Sequence, residues 1–171
     1  MLDKTNEDDD NNDNKYKKIR DDIDVSLNVK ILDLIGTLNA DKLTKKVANK
    51  MFELLERGSI SRIDIIRKKA KKAFTSLANQ TSNELFKFFF NIYIQKLDLF
   101  NEKEFSLRIA FVAYVMHHIP SLLSLCFSSI TTFLYESLTL NSSLHRNTML
   151  SIFKILTVFT QTMPNKQMLV I

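Results

Sequence analysis

The chain has 171 residues, enough for one domain with a core of its own, and at 45% hydrophobic residues it is not a disordered polymer. Two glycines and two prolines are too few for sheets joined by tight turns or for a glycine-rich phosphate loop, and a single cysteine excludes a disulfide framework. The net charge of +5 hides an asymmetry: residues 1–24 hold nine acids against five bases, whereas residues 42–72 hold eleven bases against three acids.

The first stretch, MLDKTNEDDDNNDNK, is acidic and has no apolar run, so it is neither a signal peptide nor a basic transit peptide. The expected compartment is cytoplasm and/or nucleus. Residues 1–20 are low in complexity and are expected to be a disordered acidic tail, with one helical domain over residues 21–171. From there the apolar residues recur at helical spacing. Val25 to Leu38 places Leu27, Ile31, Leu34, Ile35 and Leu38 on one face. Asp41 or Asn39 caps a second helix, Leu43 to Glu56, with Val47, Met51, Leu54 and Leu55 inward and Gly58 at its end. Ser59 or Ser61 opens a third, which contains IIRKKAKKAFTSLA and runs to about Leu77. Ser82 opens a fourth, whose run Phe86, Phe88, Phe89, Phe90 and Tyr93 is expected to be core, and a docking groove where one side is exposed. Asn101 caps a fifth that stops at Pro120, and a sixth runs to about Leu140. The last covers about His145 to Thr162, before Pro164.

Ile109 to Tyr135 contains no charged residue and is long enough to span a bilayer. It also holds His117, His118 and Pro120 at its middle, followed by several serines and threonines. Polar groups are costly in lipid, so two buried helices broken at Pro120 are expected, and no membrane span.

The helices pair through short turns, and the pairs repeat. Ile66-Arg67 is followed by Ala70, Ala73, Phe74 and Leu77. Leu107-Arg108, forty-one residues on, is followed by Ala110, Ala113, Val115 and Ile119. Arg146 then precedes Met149, Ile152, Phe153 and Leu156. Ile119-Pro120 and Met163-Pro164 close the second and third copies. This pattern resembles the HEAT/armadillo-type helical repeat, a hairpin of about 40 residues whose second helix opens on an apolar-Arg pair. The resemblance covers residues 41–164. It implies an all-α fold of stacked antiparallel helical hairpins, a solenoid of about three repeats, behind the disordered acidic N-terminus. It also implies that Arg67, Arg108 and Arg146 are structural arginines of the repeat, packed near a turn and paired with an Asp such as Asp64 or Asp98. Physically, stacking buries the apolar face that one hairpin alone leaves open.

Lys68, Lys69, Lys71 and Lys72 lie opposite Ile66, Ala70, Phe74 and Leu77. They form either a solvated face or a strip for an acidic partner, RNA or an import receptor. No aromatic residue is interleaved for base stacking. The acidic tail is a candidate cover for this strip. His117 and His118 point about 100° apart on a helix and share no metal easily. Cys126, among Leu125, Phe127 and Ile130, is expected to be an inert buried thiol, and Glu53 and Glu56 to be in surface ion pairs.

The resemblance implies a non-catalytic scaffold or adaptor that binds other proteins, within a longer array or a hetero-complex, the chain being read as a possible fragment of one. No catalytic residue, cofactor or metal is expected. Two alternatives stand beside it. One is a nucleic-acid- or ribonucleoprotein-associated module using the basic 42–72 block. The other is a compact all-α bundle that binds an amphipathic helix.

Overall fold

The computed structural model describes residues 7–97, 101–140 and 146–162. Among these, every regular element is helical: α1 (Glu7–Ile35), a short 3-10 turn (Ala40–Lys42), α2 (Lys45–Ser59), α3 (Asp64–Ala78), α4 (Asn83–Gln95), α5 (Glu102–His118), α6 (Ser121–Leu140) and α7 (Arg146–Thr162). No helix among the described residues is long and apolar enough to cross a membrane. The uncharged stretch breaks at Ile119–Pro120 into α5 and α6, because proline has no N–H to continue the first helix.

The caps follow short-range hydrogen bonding. Thr44 caps α2 by accepting from the Val47 N–H, and Asn101 caps α5 by accepting from the Glu104 N–H. Asn39 caps only the 3-10 turn. Ser82, which stands at the N-cap of α4, turns its hydroxyl to the Asp41 carboxylate at 2.7 Å instead of to its own helix. Gly58 does not end α2. It is buried inside the helix, where an added Cβ would lie 3.0 Å from that of Ala70 and 3.4 Å from Leu32. Its lack of a side chain lets α1, α2 and α3 meet.

One expectation on α1, which runs from Glu7 to Ile35, is corrected. Its inward face is rotated: Leu32 and Ile35 are buried, with Val25, Val29 and Ile31 packed beside them, while Leu27 and Leu34 are exposed. The apolar residues of this helix are spread around it, so spacing alone did not say which stripe met a neighbour. Likewise Val47 is exposed on α2, and Ala48, Met51, Phe52 and Leu55 turn inward.

The helices pack in an ordered way. α1 lies along α3, α3 along α5, and α5 along α7. On the other side α2 packs on α3 and α1, while α4 packs on α6. Contacts advance together along α1 and α3, since Lys69 pairs with Asp33 and Gly36 abuts Ala73 further on, so these two helices run in the same direction. Phe74 is the hub of the core. Its ring meets Phe52, Phe86, Phe90 and Phe111, with centroids 4.7 to 6.2 Å away. Within the aromatic run, Phe86 and Phe90 are fully buried, Phe89 stacks on Phe52 at 3.5 Å, and Phe88 faces solvent. α6 is kinked at Cys126, whose backbone (φ −119°, ψ 18°) leaves the helical region.

Candidate functional site

The four lysines of the expected strip differ in their partners. Lys68 pairs with Asp64 at 2.7 Å, and Lys69 reaches across to Asp33 on α1 at 2.8 Å. Lys72 is exposed and has no ion-pair partner among the described residues. Lys71 turns the other way, toward α5, with its ammonium 5.6 Å from the centre of the Tyr114 ring. Burial lowers the Lys71 pKa, and Arg67, Lys154 and Lys68 push the same way, while Asp64 opposes them.

Lys71 stands at a groove of 440 Å³ between α3, α5 and α7. Ala113, Ser151 and Val158 are its buried floor, and His117, Lys154, Thr157 and Gln161 its exposed rim. Lys154 is the residue that the sequence did not single out. It lies 83 positions after Lys71 on a helix with one lysine, and only the packing of α7 on α5 brings the two together. The side chains of residues 1–20, the expected cover, lie outside those described; Asp21, Asp22 and Asp24 are exposed, and Lys68 and Lys69 pair with Asp64 and Asp33.

The three arginines of the sequence pattern occupy different settings. Arg67 holds the turn before its own helix, donating from Nη1 to the carbonyls of Ser61 (2.7 Å) and Arg62 (2.9 Å) and from Nη2 to Asp64 (3.0 Å). Arg108 is buried and links three helices. It donates to Glu104 on α5 from Nε (2.8 Å) and to Glu56 on α2 from Nη2 (2.9 Å), and it lies 5.1 Å from the Tyr93 ring centre on α4. Arg146 is exposed at the first residue of α7 and enters no polar contact among the described residues. Asp98, the other expected partner, lies outside the described residues.

Around Arg108 lies a polar cluster. Glu56 also takes Lys96, and the Tyr93 hydroxyl meets Ser59 Oγ at 2.7 Å. Burial works against the Arg108 charge, but Glu104, Tyr93 and Glu56 outweigh it and the guanidinium holds its proton more firmly than usual. Burial raises the Tyr93 hydroxyl well above its ordinary value, with Ser59 and Arg108 pulling the other way. Most of these groups satisfy one another, as a structural network requires, while Arg108 Nη1 is buried with no hydrogen-bond partner among the described residues. Glu53 sits outside it, exposed and paired with Lys50 at 2.7 Å.

Cys126 is buried, and burial pushes its thiol up to about 11, so it is protonated and unreactive near neutral pH. His117 and His118 are both exposed, with rings 81° apart in plane, and His118 Nδ1 lies 2.9 Å from the Tyr114 carbonyl. Among the described residues no group of three or more His, Cys, Asp or Glu is placed to hold a metal ion. No family model, curated protein or solved structure matches the chain.

Proposed function

We propose that this chain is a non-catalytic scaffold of HEAT-like helical repeats that binds other proteins through the face formed by α3, α5 and α7. The observation that supports it most is contact between positions one period apart. Ala40 N donates to Thr81 Oγ1, and Ser82 donates to Asp41, each across 41 residues. This is the interval that separates Arg67 from Arg108. Equivalent positions of successive units touch in a stack of repeats, because each unit buries its face on the next. The sequence of packed pairs α1–α3, α3–α5 and α5–α7 fits the same arrangement. A nucleic-acid role is less favoured, because Asp64 and Asp33 neutralise two of the four lysines that suggested it.

The test is an affinity capture with the full chain, with and without nuclease, beside a variant carrying Lys71→Glu, Lys72→Glu and Lys154→Glu. A discrete protein set that survives nuclease and is lost in the variant is the expected result. A set that vanishes with nuclease supports the nucleic-acid reading instead.

A further inference from the structure

The groove between α3, α5 and α7 carries positive charge that no residue of its lining answers. None of its lining residues is acidic, and α7 contains no Asp or Glu along its length. On α5 the only acids, Glu102 and Glu104, lie at its start, and Glu104 is engaged by Arg108. On α3 the only acid, Asp64, is held by Arg67 and Lys68. Lys71 and Lys154 therefore face the groove with no carboxylate of the lining between them. Between them lies an apolar bed of Ala110, Ala113 and Val158, small enough to admit a side chain.

We infer that this groove takes an acidic peptide segment of a partner protein. The partner's carboxylates lie between Lys71 and Lys154, and one of its apolar side chains rests on Ala110, Ala113 and Val158. Charge complementarity selects the occupant, and the apolar bed selects peptide over nucleic acid. Affinity for a phosphate backbone grows with the number of phosphates neutralised, and this groove offers two lysines. Tyr114, the one tyrosine in a lining without Phe or Trp, is already stacked on His118 at 4.1 Å. The inference rests on the scaffold reading and names its partner class.

The experiment is fluorescence anisotropy on the full chain at low salt. The probes are a dye-labelled Glu-Glu-Leu-Glu-Glu peptide, its Lys-for-Glu counterpart, and a short oligo-dT of matched charge. The acidic peptide is expected to bind and its counterpart to fail. Lys154→Glu, at an exposed position that leaves the fold intact, weakens binding about tenfold. Thr157→Lys, on the same rim, tightens it severalfold. Lys68→Glu changes it little, because Lys68 sits outside the groove. Circular dichroism confirms the fold of each variant. Absence of acidic-peptide binding overturns the inference, as does equal weakening by Lys68→Glu and Lys154→Glu. Tighter binding of oligo-dT that is lost in Lys154→Glu replaces the peptide with nucleic acid. Failure of the peptide while protein capture persists in Lys154→Glu overturns the groove and leaves the scaffold standing. Peptide binding without any captured protein supports the groove and overturns the scaffold.

Discussion

Arg67 and Arg108 stand at corresponding places in the sequence pattern, and the structure uses them differently. Arg67 sits near the surface and stitches a turn to the helix that follows it, through two carbonyls and a half-exposed Asp64. Arg108 is 5% exposed and joins α5 to α2 and α4 through Glu104, Glu56 and Tyr93. The difference comes from where the acids are. Arg67 finds an acid three residues before it, whereas Glu56 reaches Arg108 from the far end of α2. A repeated residue type thus supplies a long donor-rich side chain, and the neighbouring helix decides whether it caps locally or clamps at long range.

The sharpest way to break this comparison is Arg108→Ala. It leaves Glu56 partly buried with one cation fewer, and is expected to cost about 3–5 kcal/mol in urea unfolding followed by helical circular dichroism. Adding Glu56→Gln should recover part of that loss, because much of it comes from the orphaned acid. A cost under about 1 kcal/mol would place Arg108 with the surface pairs. Gly58→Leu tests whether close helix approach, rather than Arg67, sets the turn between α2 and α3. It must displace Ala70 and Leu32 and should cost about 2 kcal/mol by the same measurement.

Arg67→Ala is expected to cost about 1 kcal/mol, through the two carbonyl bonds more than the exposed ion pair. High salt should shrink the ion-pair part of this effect and leave the Arg108 effect nearly unchanged, since buried pairs are poorly screened. The smallest effect concerns acid. The hydrogen bond from Lys68 is the largest influence lowering the Asp64 pKa below its ordinary value of 3.8, with Lys68 and Arg67 charges adding to it. A carboxylate with a lowered folded pKa contributes stability above the unfolded value and loses it as pH falls through the folded one. Between neutral pH and pH below 3.8, the wild-type chain should therefore lose slightly more stability than Asp64→Asn. Equal losses would remove Asp64 from the account of the turn.

The lysines make a second comparison of the same kind. Lys68, Lys69, Lys71 and Lys72 look alike as a cluster, because helical spacing places them together on the face opposite Ile66 and Phe74. Which of them is neutralised was not legible, since Asp33 lies on another helix. The groove was not legible either, because its second lysine, Lys154, is distant in sequence and unremarkable within α7. The buried place of Cys126, by contrast, could be read directly from its apolar neighbours.

Local chemistry was sufficient for the helical class, the breaks at Pro120 and near Asn101, and the inward turn of Phe74, Phe86 and Phe90. These depend on hydrogen bonds within a few residues and on apolar spacing within one helix. The rotation of α1, the buried place of Gly58, the clamp at Arg108 and the meeting of Lys71 with Lys154 depend on which helix faces which. That is decided by packing between different helices, where side-chain volume and charge on one helix select among faces that its own sequence leaves equally available.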